Sequence, residues 1–191
     1  MSIRLKNILL VSMLACTPVH FVQASALTYN DIAPVLLGRC AMCHMPGGMM
    51  GAPPENYRLD SYSETISAKE RARVVPGNAL ASELYRRVIG HAKPRMPFNG
   101  PPYLSEDEIE RIKKWINDGA RDSTGAVAPK ITGARLRLHG RLSNLWALDG
   151  LELKIHSGTR IKKNPQPGSY VRVRGHIGAN GEVNVDRIKR K

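Results

Sequence analysis

Near residue 130 the spacing of apolar residues changes from three-and-four to two, and no single packed layer accommodates both patterns. Beyond that point Leu136, Leu138 and Leu142 alternate with Arg135, Arg137 and Arg141, and Val171, Val173 and Ile177 alternate with Arg172, Arg174 and His176. Leu151, Leu153 and Ile155 alternate with Glu152 and Lys154, and Val183 and Val185 flank Asn184. Ser143-Asn144, Asp149-Gly150, Pro167-Gly168 and Asn180-Gly181 supply turns between these runs, so antiparallel strands with one wet face are expected. Gly140 and Gly175 fall where an inward side chain is due in two related segments, Leu136-Arg-Leu-His-Gly-Arg-Leu142 and Val171-Arg-Val-Arg-Gly-His-Ile177. Glycines there bend or bulge a strand, and a five-stranded, OB-like barrel over residues 130–191 follows.

The half before residue 123 carries helix signals instead. Thr28 with Asp31, Ser61 with Glu64 and Ser105 with Glu108 have the spacing in which a hydroxyl and an acid satisfy the free amides of a first turn. Ile109, Ile112, Trp115 and Ile116 then form one stripe on a helix of about fourteen residues, and Asn78 is placed to cap a helix bearing Leu80, Leu84, Tyr85 and Val88. No period-two run occurs here, so this half reads as mostly α. Residues 123–129 are small and polar and read as the linker.

Residues 1–26 read as a cleaved export signal: Arg4 and Lys6, an apolar run from Ile8 to Cys16, then Ala24-Ser25-Ala26. The run falls short of the roughly 20 residues that span a bilayer, so no transmembrane span is expected and the periplasm is the expected location. Met13-Leu14-Ala15-Cys16 loosely resembles a lipobox, which makes lipid anchoring at Cys16 the minor alternative.

With Cys16 removed, the chain keeps Cys40 and Cys43 alone, in Arg39-Cys-Ala-Met-Cys-His44. Two thiols at this spacing can add to the two vinyl groups on one edge of a porphyrin, and the histidine behind them then sits under the iron: Cys-x-x-Cys-His is the attachment signal for one haem c. A dithiol redox site wants a βαβ setting that this half lacks, and a zinc site lacks a fourth ligand. For the sixth iron position, His91 and Met96 are the candidates in His91-Ala-Lys-Pro-Arg-Met-Pro97. Met96 lies far enough beyond His44 to circle the haem, and a thioether favours reduced iron.

Residues Tyr29 to Asp122 resemble the planctomycete-type cytochrome c domain, a family of small class I cytochromes. The resemblance rests on Ile32-Ala-Pro-Val-Leu36, the haem motif, Arg58-Leu-Asp-Ser-Tyr62, Val75-Pro-Gly-Asn78, Leu84-Tyr-Arg-Arg-Val88, Arg95-Met-Pro97, Leu104-Ser-Glu-Asp-Glu-Ile109 and Trp115-Ile-Asn-Asp-Gly-Ala120. It implies His44 and Met96 as iron ligands, and packing of the last helix through Ile112 and Trp115 against Val35 and Leu36. The loop Met45-Pro-Gly-Gly-Met-Met-Gly-Ala-Pro-Pro54 and Phe98 depart from the family pattern. The later half resembles a family of exported bacterial β-barrel domains without an established role. The expected architecture is thus two domains: an all-α class I cytochrome c domain over 27–122 and an all-β, OB-like barrel over 130–191.

Charge divides the halves as well. Residues 27–129 hold 13 Lys and Arg against 12 Asp and Glu, whereas residues 130–191 hold 14 against 4. So basic a barrel attracts anions and speeds encounter with them in a salt-dependent way. An acidic redox partner, anionic lipid or an envelope polymer fits; nucleic acid is disfavoured, because Trp146 and Tyr170 are the barrel's only aromatics for stacking. No nucleophile or acid–base pair accompanies the haem motif, so an electron carrier rather than an enzyme is expected, docking through the barrel. The alternatives are a haem-based redox or gas sensor engaging an anionic envelope partner and, more weakly, a peroxidase-like protein. Oligomeric state is not legible.

Overall fold

The structure, a computed structural model, describes residues 26–144 and 146–191. The expected signal segment, with Cys16, lies outside the described residues except for its last position. Among the described residues no helix is long and apolar enough to cross a membrane.

Six strands follow the period-two runs: β1 (Arg135–Asn144), β2 (Ala147–Leu148), β3 (Leu151–Lys154), β4 (Arg160–Lys162), β5 (Tyr170–Ile177) and β6 (Val183–Arg190). β1 pairs with β2 and β5, β5 with β6, and β2 with β3, all antiparallel. A parallel pairing of β3 with β6 closes these five into a ring, and β4 adds to β6 outside it. Alternation decides the filling: Leu138, Val171, Val173, Val185 and Ile188 are wholly shielded inside, while their neighbours along each strand face out. Each such aliphatic side chain contributes on the order of 1.5–3 kcal/mol by leaving water.

The two strand glycines differ in their reasons. Gly175 sits where the β5–β6 register shifts, opposite a bulge whose extra residue is Asp186 on β6, and a Cβ there would strike the Asn184 carbonyl. Gly140 lies in an unbroken stretch of β1–β5 pairing; its missing side chain makes room for the Asp149 carboxylate and the Arg86 guanidinium.

The earlier half is not the all-α class I cytochrome c domain that was expected. Its α-helices are short: α1 (Tyr29–Leu36), α2 (Tyr62–Thr65), α3 (Glu83–Val88) and α4 (Glu106–Asn117), of which α4 alone exceeds two full turns by a wide margin. The closed five-stranded barrel is the dominant architecture, and loops fill most of the remainder. Eight prolines between Met45 and Tyr103 explain the shortness, since each removes a helix donor. Asn78 caps a turn through Ala81 rather than a helix; α3 begins only at Glu83, because the Ser82 hydroxyl bends back to the Asn78 carbonyl and receives the Val75 amide. α4 runs twelve residues and keeps its reciprocal cap: Glu108 accepts from the Ser105 amide at 2.7 Å and Ser105 from the Glu108 amide at 3.2 Å.

Two apolar clusters result. Ile32, Leu36, Ile112, Trp115 and Ile116 are fully buried together, and the Trp115 indole donates to the Arg121 carbonyl at 2.9 Å. The barrel's cluster recruits Ala72, Val75 and Ala81 from the earlier half, and Leu80 packs against both. Ala72 also bridges Leu136 in parallel, its amide 2.7 Å from the Arg135 carbonyl. The segment before α3 is therefore built into the barrel's wall.

Candidate functional site

The Cys40-Ala-Met-Cys-His44 stretch follows α1 and begins in a π-helical turn, Leu37–Ala41. That wider turn places Cys40 inside the apolar cluster at 8% exposure, while Cys43 is half-exposed; both thiols are free. The amides of Cys43 and His44 both fold back onto the Cys40 carbonyl, at 3.1 and 3.0 Å, so the two thiols and the imidazole share one tight turn. Burial pushes the Cys40 thiol up to about 12, which keeps it protonated at neutral pH.

His44 is held from two sides. Its carbonyl accepts from the Leu59 amide at 2.8 Å, and its Nδ1 lies 2.9 Å from the Tyr57 carbonyl. A carbonyl only accepts, so Nδ1 carries the proton and Nε2 presents a lone pair. Tyr57 also meets the imidazole edge-on at 5.9 Å, and its hydroxyl donates to the Thr65 carbonyl. Gly48 brings the following loop back onto the turn: a Cβ there would stand 2.7 Å from the Met42 carbonyl, which accepts from Met49.

Apolar exposure gathers around this turn. Among the described residues, five of the nine large hydrophobic side chains left in solvent, Leu37, Met42, Met45, Met49 and Met50, lie in or beside this turn, Met49 at 77%, while Phe98, at 70%, lies two residues after Met96. Such a concentration marks a binding surface rather than scatter. A second cavity, about 390 Å³, lies along the same loop between Pro46 and Arg58.

Met96 lies on a separate loop, half-buried, its amide bonded to the Arg87 carbonyl at the end of α3. Arg95 pins that loop by donating to the Val88 carbonyl and lying 4.2 Å over the Tyr103 ring. Arg39, beside Cys40, donates to the Pro102 carbonyl at 2.7 Å and ties the loop to the motif. His91 is placed otherwise, with Nδ1 3.8 Å from Asp149 at the barrel. Among the described residues no three His, Cys, Asp or Glu side chains converge as a metal cluster. Two free thiols in one turn, and one imidazole with a fixed tautomer, are the donor set that a covalently held haem needs, and the residues fit it.

A second constellation escaped the sequence reading. Arg86 is completely buried on α3; its guanidinium donates to the carbonyls of Leu80, His139 and Leu148 and pairs with Asp149, which also accepts from the Arg141 amide. Burial pulls the Arg86 guanidinium below its usual range, and Asp149 opposes that pull. Nearby, Glu55 takes Arg71 at 2.9 Å, Arg73 at 3.3 Å and Arg137 at 2.5 Å, while Arg71 also pairs with buried Glu83. Burial acts to raise the Glu55 carboxyl, but Arg71 and Arg137 outweigh it and hold the group at about 2. Glu55, Arg71, Arg73 and Arg137 line a cavity of about 540 Å³ together with Arg135, Arg174 and Asp186 of the barrel. Neither group has a local sequence signal, because the partners that tie each to the barrel lie 53 to 82 positions away.

The chain matches no protein-family model, no curated protein and no solved structure.

Proposed function

We propose that this chain is an exported carrier of one covalently attached haem c that passes single electrons to and from a redox partner. Cys40 and Cys43 would hold the porphyrin by thioether bonds, and His44 and Met96 would supply the iron's protein ligands. The observation that carries the reading is the His44 imidazole, whose Nδ1–H is bound to the Tyr57 carbonyl so that Nε2 stands free beside two unpaired thiols.

The haem, when bound, supplies a one-electron couple at its iron. The chain's residues do the rest. The Tyr57 carbonyl fixes the tautomer of His44 and raises its basicity as a ligand. Leu37, Met42 and the methionines of the following loop are exposed apolar side chains that would shield a bound porphyrin from water, which favours the less charged state of an iron centre. Arg39 and Arg95 hold the Met96 loop in register with the motif. The basic barrel draws anionic partners toward the molecule.

Full-length protein exported alongside a haem-attachment system tests this directly. Intact mass should show one porphyrin per chain, and a pyridine haemochrome spectrum should show both vinyls saturated; bare polypeptide would sink the reading. Met96→Ala should abolish the low-spin spectrum of the oxidised form, and an unchanged spectrum would remove Met96 from the iron. Ferrous protein should refuse carbon monoxide, whereas rapid binding would favour a gas sensor.

A further inference from the structure

Strand register aligns the barrel's outward cations into rows. Arg137 stands opposite Arg174, Arg174 opposite Arg187, and Arg187 opposite Arg160, giving four arginines across β1, β5, β6 and β4. The next row holds His139, Arg172, Lys189 and Lys162. Neighbouring strands lie about 4.8 Å apart, so each row runs roughly 14 Å. Like charges directly opposite one another destabilise a sheet. Arg172, followed by partial burial and then Arg137 and Arg187, holds the Arg174 guanidinium below its usual range.

Glu55 offsets this only in part, at the β1 end of the first row. Arg137 reaches Glu55, and Asp186 lies 3.4 Å from His176. Among the described residues no ion pair reaches Arg160, Arg172, Arg174, Arg187, Lys162 or Lys189, and the Nε atoms of Arg172, Arg174 and Arg187, themselves shielded from solvent, have no hydrogen-bond partner. The first row borders the 540 Å³ cavity through Arg137 and Arg174, where Arg71, Arg73 and Arg135 are interspersed with Glu55, Glu70 and Asp186.

The composition of the face selects its occupant. Arginine forks match tetrahedral oxyanions in two-point contacts. Ile161, at 42% exposure on β4, is the one apolar side chain in solvent along the rows, and the Tyr170 ring is taken by Lys93 at 5.9 Å. A base or sugar finds no aromatic platform there and a bilayer finds no anchor. Seven cations on two short rows call for a partner with one negative charge on every short repeat and no apolar body. We propose that the outer face of β1, β5, β6 and β4 binds inorganic polyphosphate, with Arg174 and Arg187 at the centre of the contact. The assignment stands independently of the haem.

The full-length exported protein, titrated calorimetrically with polyphosphate of defined chain length, should bind saturably and at least tenfold more tightly than orthophosphate at equal phosphate concentration. By analogy with other polyanions, raising salt from about 50 to 200 mM should weaken binding by about a hundredfold or more. Arg174→Gln with Arg187→Gln should cost at least tenfold in affinity with the thermal midpoint preserved. Lys113→Gln on α4 removes a charge elsewhere and should change nothing. Equal losses in the two variants, no preference over orthophosphate, or tighter binding to single-stranded DNA, heparin or anionic phospholipid vesicles would each overturn the proposal.

Discussion

Arg86 and Arg174 lie on the two sides of the same β1–β5 ribbon and are treated in opposite ways. Arg86 is shielded from solvent, with three carbonyls and the Asp149 carboxylate around its guanidinium. Arg174 faces outward among Arg137, Arg172 and Arg187, with no ion pair among the described residues. A cation taken out of water costs several kcal/mol unless it is paired and bonded, so the first site had to be completed by the chain itself. A cation left in water carries no such demand, and its incompleteness leaves donors for something external. Completed charge marks structure in this molecule, and uncompleted charge marks a contact surface.

The sharpest way to break that contrast is at the buried pair. Asp149→Ala strands the Arg86 guanidinium and should cost about 3–5 kcal/mol in urea unfolding, whereas Arg86→Met with Asp149→Leu, which removes both charges, should recover most of it. Gly140→Val should approach the single-variant loss, since its side chain would occupy the space of the pair. A loss under about 1 kcal/mol for Asp149→Ala would mean that Arg86 is not completed as described.

An intermediate effect is expected at His139, which lies in the second cationic row. Burial, with Arg87, Lys191 and Arg172 adding to it, lowers its pKa from 6.5 to about 4. The folded chain thus refuses a proton that the unfolded chain accepts. Its contribution is intact above pH 6.5 and is lost progressively as pH falls toward 4. His139→Gln should flatten that acid limb in unfolding midpoints taken at neutral pH and at about pH 5; an unaltered slope would place the titration elsewhere.

The smallest change should come from the outward row. Arg174→Gln should alter stability by no more than about 0.5 kcal/mol, and in the direction of a gain, because a like-charge contact is relieved. A marked loss would show that the row holds the barrel together and would erase the distinction from Arg86.

What the sequence made legible follows from the range of the forces involved. Alternation and turn dipeptides are local, so β1, β3, β5 and β6 and the turns at Asp149-Gly150 and Asn180-Gly181 could be read directly. β4 could not, since Arg160, Ile161 and Lys162 are all exposed and show no alternation. The apolar residues from Leu80 to Val88 read as one helix, but Ser82 closes a turn in their midst and only six residues are helical. The all-α expectation failed for the same kind of reason: periodic apolar residues were counted as helix even where prolines and turns dispersed them. Cys40, Cys43 and His44 were legible because their chemistry is written in adjacent positions. The Tyr57 carbonyl that fixes His44 was not, because a backbone acceptor carries no residue signature. Arg86 was equally silent: α3 is buried nearly all round, so its charged members stand out neither as a wet face nor as an interruption.

The vacancy at Gly140 makes three distant positions answerable to one another. A guanidinium at 86 and any side chain at 140 compete for one volume, and the carboxylate at 149 has its strongest partner only while 86 is basic. In the lineage of this chain the three should therefore change as a set, so that a descendant bearing alanine or valine at 140 would be found to have surrendered its arginine as well.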